Sequence, residues 1–393
     1  MAKKSSKEFS FLDLDKELSK IKGFETGSIL TENTFSEVDE WIPTGNYLLN
    51  AQLSGTLFGG IPNTRSLGLM GDPGTGKSFV CLNVAREAQK KGYDVIYCDT
   101  EGAIDKESAI KFGIDSDKVR YQPIKTVTEF QTFVSKLLEF IKKARESGNN
   151  PKILLVLDSL GMLSTDKELN DALIGKNAAD MGAKAKELRK LFRVITLDLT
   201  AAKIPLVCTN HVYAGGGFFP TKESSGGDGP IFAMSVISFL SKAQLKEGNS
   251  TTKTGIIVTS KLKKSRFTIP EPIKFHISFA NGMNPYVGLQ DFISWEACGI
   301  GKGKFEEQKV DGKKVNVFMP SDSPQARWAV KHLGKTVTSS QLFTPEVFTK
   351  EVLEQLDVNV IQGYFKLPSM ASNDEITSAL EIETSEDENG ADE

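Results

Sequence analysis

Residues 64–100 read TRSLGLMGDPGTGKSFVCLNVAREAQKKGYDVIYCDT, a glycine-bearing loop set between two strand-like runs. Gly71, Asp72, Pro73, Gly74, Thr75, Gly76, Lys77 and Ser78 fit G-x-x-x-x-G-K-[ST], the phosphate-binding loop. Its glycines let backbone N–H groups turn inward onto phosphate oxygens, and the helix starting at Lys77 adds the positive end of its dipole. Lys77 is then placed for the β- and γ-phosphates, and the Ser78 hydroxyl for Mg²⁺. The flanks fit the motif. Ser66–Met70 reads as a buried strand, and Phe79, Leu82, Val84 and Ala88 give the following helix an apolar face. The stretch predicts a nucleoside triphosphate site with Mg²⁺, and Phe79 adjoins it.

Working outward, 393 residues suffice for one large core and a smaller appendage. Nine acids and no base lie within residues 373–393, and removing them takes the formal net charge from −3 to +6. The body is therefore mildly basic. The tail reads as a disordered acidic extension that either solubilises the chain or competes for a basic binding surface. Cys81, Cys98, Cys208 and Cys298 form no C-x-x-C pair, as expected of a reduced, cytosolic protein. The N-terminus lacks the apolar stretch of a secretory signal, and no run approaches the length of a membrane span.

Strand-like runs at 67–70, 93–98, 152–158 and 204–209 alternate with helical ones at 77–91, 105–113, 126–147 and 183–202. Such alternation predicts a mainly parallel sheet covered on both faces. Thr126-x-x-Glu129 is a capping-box signal, and Val127, Phe130, Val134, Leu137 and Ile141 are core contacts of that helix. SVISFL, GIIVTS and IKFHISF, between 235 and 279, predict an antiparallel extension at a sheet edge. We divide the chain into an N-terminal arm (1–40), a core (41–290), a small mixed C-terminal domain (291–370) and the acidic tail (371–393). The C-terminal region carries its own apolar set: Phe292, Ile293, Trp295, Trp328, Leu333, Phe343, Val347 and Leu353. In the arm, Phe9, Leu12, Leu14, Leu18 and Ile21 line one side of a short helix, and residues 27–63 show few regular runs.

ILLVLDS at 153–159 is an apolar strand ending in an acid, which puts Asp158 beside the phosphate loop to hold the water shell of Mg²⁺. VIYCDTE adds Glu101, at the end of what we read as the strand next to the phosphate-loop strand, where a carboxylate can orient and deprotonate water. Asp99 competes for that role from the same face. Glu101 could instead cap the helix near Asp105. After IPLVCT, the pair Asn210 and His211 can touch the γ-phosphate and pass its presence to the following loop. That loop, 213–230, is too rich in glycine and proline for a packed element. The connection 164–182 leads into Lys184, Lys186, Arg189, Lys190 and Arg193. Two long loops with Phe218, Phe219 and Met181 near several cations suit single-stranded nucleic acid, where apolar groups stack between bases, or else are mobile surface loops.

Taken in order, GDPGTGKS, YCDTEGA, LLVLDS, Met181-Gly182, TNH and SSGGDGP resemble the RecA family of homologous recombinases, and most closely its phage UvsX-type members, over about residues 60–290. The resemblance implies an α/β fold: a RecA-like P-loop ATPase core with a mainly parallel sheet, an antiparallel edge extension, a small C-terminal region and an N-terminal oligomerisation arm. It makes Lys77 and Ser78 the phosphate and metal ligands, Glu101 the base, Asp158 the metal acid and His211 the γ-phosphate sensor. It assigns residues 170–182 and 213–230 to DNA, with Met181 inserting between bases, Gly182 beside it, and Lys186 and Arg193 near the strand. In the second loop it implicates Gly215, Gly216, Gly217, Phe218, Phe219, Ser225, Gly226 and Gly227. Lys264 and Arg266 fall where the family reaches across to a neighbour's ATP, although KLKKSR also reads as a solvated charge cluster.

Two departures stand out. The family often stacks an aromatic on adenine near position 108, where this chain has Ser108, although Asp105 is kept, and Gly102 replaces a larger residue after the base. The implied activity is ATP-dependent strand exchange by a helical filament that pairs single-stranded DNA with homologous duplex. A single-strand-binding protein and a loader assist it in the cytoplasm, the host's if the chain is phage-encoded, and no membrane is involved. The alternative is a RecA-like hexameric helicase or translocating motor. A DNA-binding mediator with a vestigial ATP site is a third reading, opposed by the presence of Lys77, Ser78, Glu101 and Asp158 together.

Overall fold

Successive residues of the central strands go to opposite sides of one sheet, as the period of two requires. In the computed structural model, Val95, Tyr97, Leu154, Val156 and Val207 enter one apolar cluster. Ile96, Cys98, Leu155, Leu157, Leu206 and Cys208 enter the other. The structure describes residues 10–21, 36–102, 104–176, 181–214, 222–224, 233–246, 252–310 and 313–367.

The strands in chain order begin with β1 (Trp41–Ile42), β2 (Ile61–Pro62), β3 (Ser66–Gly71), β4 (Asp94–Asp99), β5 (Val119–Pro123) and β6 (Ile153–Asp158). There follow β7 (Leu206–Ala214), β8 (Lys222–Ser224), β9 (Val236–Lys246), β10 (Lys253–Lys264), β11 (Ile273–Ser278) and β12 (Gly282–Met283). The first seven helices in chain order are α1 (Phe11–Leu18), α2 (Tyr47–Ser54), α3 (Lys77–Lys90), α4 (Lys106–Lys111), α5 (Val127–Glu146), α6 (Asp166–Leu173) and α7 (Met181–Ala201). The main sheet runs β12-β11-β10-β9-β3-β7-β6-β4-β5, with β8 hung on β7. From β9 to β5 every pair is parallel. From β9 to β12 every pair is antiparallel.

Helices α2 and α3 cover the first face of the sheet and α5 and α7 the second. The α5 capping box forms: the Thr126 side chain accepts from the Glu129 N–H at 3.0 Å while Glu129 accepts from the Thr126 N–H at 3.1 Å. Val127, Phe130, Val134 and Ile141 are buried beneath it, with Leu137 partly so. All four cysteines are buried and free. Among the described residues no helix is long and apolar enough to cross a membrane.

Several expectations need correction. Strand β4 is not next to β3, because β7 and β6 lie between them. Edge strand β5 and helix α2 escaped the sequence reading. VRYQP in β5 has too little apolar content to register, and α2 is buried nearly all round, so it has no polar face to give a period. Its buried polar groups are paired instead: Asn46 caps Leu49 N–H at 2.9 Å, and Gln52 donates to the carbonyls of Ser260 and Glu271 at 2.9 and 2.7 Å. Within 164–182 the chain forms α6, started by a second capping box at Thr165 and Glu168. Within 213–230, Lys222–Ser224 pairs with Val212–Ala214, so this glycine-rich loop does carry a packed element.

The chain divides into two compact units, Met1–Val38 and Asp39–Glu393. In the first, α1 leaves Phe11 and Leu14 exposed, as is Ile21 beyond it, while Phe9 lies outside the described residues. In the second, the four-stranded sheet β14-β13-β15-β16 comprises β13 (Ile300–Val310), β14 (Lys313–Pro320), β15 (Trp328–Val330) and β16 (Lys335–Val337). The apolar side chains of this C-terminal region, Trp328, Val347 and Leu353 among them, join the same cluster as α2 and α3 rather than forming a core of their own. The acidic tail lies outside the described residues.

Phe130 is fully buried between α5 and the sheet. Phe130→Ala should therefore destabilise the protein by about 3–5 kcal/mol, the cost of removing a buried aromatic and leaving a cavity. Denaturant unfolding measures it, and a loss below about 1 kcal/mol would show that the site collapses around the smaller side chain.

Candidate nucleotide site and DNA-facing surface

The parallel register brings the carboxyl-end residues of β3, β6 and β4 and the middle of β7 to one edge of the sheet. Gly71 of β3 stands opposite His211 of β7, and Asp99 of β4 opposite Asp158 of β6. In an open α/β sheet this carboxyl edge is where ligands bind.

The phosphate loop leaves β3 at Gly71 and enters α3 at Lys77. Gly74 and Gly76 adopt φ of +70° and +89°, a backbone conformation open to glycine and strained for other residues. A Cβ on Gly76 would also stand 2.6 Å from Ile277. Thr75 closes the turn by donating to the Asp72 carbonyl at 2.9 Å. Lys77 is buried, and its Nζ donates to the carbonyls of Gly71 and Asp72 at 2.8 and 3.0 Å. Burial lowers its pKa, opposed by the negative charges of Asp158, Glu101 and Asp72. Residues from three strand ends thus face one ammonium. Ser78 follows on the first turn of α3, and Phe79 packs edge-on against Phe112 with ring centroids 4.8 Å apart.

The carboxylates differ in what holds them. Asp158 is buried, accepts the Tyr97 hydroxyl at 2.7 Å and also takes the Thr209 hydroxyl. Asp99 is buried and occupied by its own turn. Its oxygens accept the N–H groups of Glu101, Gly102 and Ile104 at 2.8, 2.9 and 3.3 Å and the Tyr121 hydroxyl at 3.2 Å. Glu101 lies past the end of β4, so the two acids do not share a strand face as expected. Glu101 is exposed to solvent, accepts the Ser159 hydroxyl at 2.8 Å and lies 3.1 Å from His211 Nε2. Burial opposes its ionisation, but the hydrogen bonds from His211 and Ser159 outweigh that and lower its pKa. His211 on β7 therefore spans the gap between the phosphate-loop strand and β4.

Gly102 adopts φ +67° while donating to Asp99, which accounts for a glycine after Glu101. The cap of α4 is Asp105, accepting Ser108 N–H at 2.7 Å, and Glu101 has no part in it. Ser159 was missed in the sequence because a serine after a strand's acid is unremarkable until its hydroxyl is seen on Glu101.

Lys264 and Arg266 do not join this group. Lys264 pairs with Ile237, and Ile237 with Gly68. That is two strand spacings aside from β3 and three residues back from Gly71, about 14 Å by strand geometry. Burial and then the nearby Arg266 charge depress the pKa of both Lys264 and Arg65, so three cations gather at this far edge. Arg65 was not foreseen.

Where the resemblance assigns DNA contacts, Met181 and Gly182 open α7, whose Leu188, Leu191, Phe192, Ile195 and Leu199 are buried. Lys186, Arg189, Lys190 and Arg193 are exposed along it. Lys184 is tied to the Gly161 carbonyl at 2.6 Å and is not part of that row. Gly215, Gly216, Gly217, Phe218, Phe219, Ser225, Gly226 and Gly227 lie outside the described residues.

A family model described as the RecA N-terminal domain matches residues 13–284. Among curated proteins, the chain is 28% identical over 363 residues to a recombination and repair protein of Enterobacteria phage T4, covering 89% of this chain and 88% of the relative. It is also 28% identical to the RecA protein of Fusobacterium nucleatum, covering 72% and 75%. With the RecA protein of Wolinella succinogenes the identity is 24%, over 91% of each chain.

Asp99→Ala would strip three backbone N–H groups of their acceptor and should destabilise the protein by about 1–3 kcal/mol. Glu101→Gln, at an exposed position, should leave the unfolding midpoint nearly unchanged. Equal thermal unfolding of Asp99→Ala and the parent would show that water replaces the carboxylate.

Proposed function

The chain belongs to the RecA family, and from that premise we propose that it is an ATP-dependent DNA recombinase, polymerising on single-stranded DNA and pairing it with homologous duplex. The observation that carries the reading is the convergence of the phosphate loop, Asp158, Glu101 and His211 on one sheet edge. It is a P-loop ATPase stimulated by DNA. The alternative of a helicase or translocating motor gains support from no element of the fold.

The residues fit ATP and Mg²⁺. Lys77 now satisfies itself on two loop carbonyls, and phosphate oxygens are better partners for an ammonium at that place. Ser78 and, through water, Asp158 would hold the metal, which draws charge from the phosphates. Glu101, ionised and aimed by Ser159 and His211, takes the role of base, and Asp99 is excluded from it by its own turn. His211 touches Glu101, so a phosphate drawing on the His211 ring alters the base's hydrogen bonding. β7 then continues from His211 into the second DNA loop, which gives the sensor a short path to DNA.

Lys186 and Arg193, with Arg189 and Lys190, suit the phosphates of a strand. Met181 and Phe218 and Phe219 supply the apolar groups for its bases. The arm at 1–40 joins one protomer to the next. A single-strand-binding protein and a loader belong to the same reading, since a filament must displace whatever already coats the strand, and its DNA places it in the cytoplasm.

Lys264 and Arg266 stand too far from their own phosphate loop to serve it, which supports action on a neighbour's ATP. Replacing both by Ala should leave nucleotide binding to isolated protomers intact and reduce DNA-stimulated hydrolysis about 10³-fold or more. Mixing that variant with Lys77→Ala should restore part of the activity at junctions where each supplies what the other lacks. A mixture as inactive as its components would refute shared sites.

Glu101→Gln should keep ATP binding and slow hydrolysis about 10²–10⁴-fold. Ser159→Ala removes a donor that lowers the Glu101 pKa, so the acid limb of the kcat–pH profile should move to higher pH. An unmoved limb would take Ser159 out of the account.

A further inference from the structure

The phosphate loop meets a second ammonium. β9 runs parallel to β3 with Leu240 opposite Gly71, so Lys242, two residues on, stands past the end of β3 beside the loop's apex. Its Nζ donates to the Pro73 carbonyl at 2.7 Å. The same Nζ lies 2.7 Å from where a Cβ on Gly74 would stand, so glycine there provides room for the lysine as well as the positive φ. Three successive carbonyls are thus held by two ammoniums, Gly71 and Asp72 by Lys77 and Pro73 by Lys242.

The Pro73 carbonyl and the Gly74 N–H belong to one planar trans peptide unit and point in opposite directions. Gripping the carbonyl from the β9 side therefore turns the N–H the other way. We propose that Lys242 is a positioning residue of the nucleotide site, holding the Pro73–Gly74 peptide so that the Gly74 N–H faces the seat of the α- and β-phosphates whether or not nucleotide is present. The proposal rests on the reading of this loop as an ATP site. In that reading Lys77 exchanges its carbonyls for phosphate oxygens, whereas Lys242 keeps its own.

The loop's N–H groups cradle the α- and β-phosphates, while a cation on the γ-phosphate would favour ATP alone. Titration with fluorescent analogues of ATP and of ADP, with Mg²⁺ and without DNA, separates these. Lys242→Met should weaken both ligands by the same factor, about tenfold, as for loss of one charge-assisted hydrogen bond at an accessible position. Lys242→Arg, which can also donate to the carbonyl, should bind both within about twofold of the parent, and thermal unfolding should be unaltered in each variant. Unchanged affinity in Lys242→Met, a loss confined to ATP, or an Arg variant as weak as the Met variant would each overturn the proposal. Lys77→Ala in the same assay keeps the two levels apart. If it loses binding while Lys242→Met does not, only this proposal falls, and if it binds normally the ATP-site reading falls with it.

Discussion

The parallel register of β3, β7, β6 and β4 is the constraint on which the rest depends. Parallel strands that run out toward the same edge present their side chains there to one crevice, and a shift of one residue would turn each of those side chains to the other face. Here the register is enforced from both sides. Tyr97 and Val156 are locked into the cluster under α3, while Cys98, Leu155 and Leu157 are locked into the cluster under α5 and α7. Sliding one strand would exchange the two sets. Core packing with no chemical role thereby fixes the relative heights of Asp158, the Asp99 turn that carries Glu101, His211 and the phosphate loop.

Within that edge, similar carboxylates acquire different roles through what surrounds them. Asp99 has its hydrogen-bonding capacity filled by its own turn and one tyrosine, so it shapes the loop that carries Glu101. Asp158 keeps two hydroxyl donors and faces the charge of Lys77. Glu101 is accessible and held by two side chains that can each change partner. A catalytic base needs that accessibility, whereas a structural acid is better without it.

Much of this was legible in the sequence because it is local. The phosphate loop, the acid ending β6 and the Asn210–His211 pair each follow from a short run read against the strand preceding it. Strand order was not local. Nothing between residues 64 and 158 tells that the chain crosses over two strand positions after β3, so Glu101 was placed one strand from the phosphate loop instead of three. Helix α2 was missed for a related reason, since its polar residues are satisfied by carbonyls more than two hundred positions away. Ser159 and Lys242 belong to the same class: their partners are far along the chain, and neither residue type is distinctive.

The pair β9 and β10 ties these observations together. The middle of β9 carries Lys242 onto this protomer's own phosphate loop, and the end of β10 carries Lys264 to the edge where Arg65 and Arg266 gather. Ten paired positions join the two strands, with one irregularity near each end, the second of them just before Lys264. A packed strand pair moves as a unit more readily than it bends. A shift of the loop at Pro73 that pulls on Lys242 therefore enters the ladder at its pair with Val258.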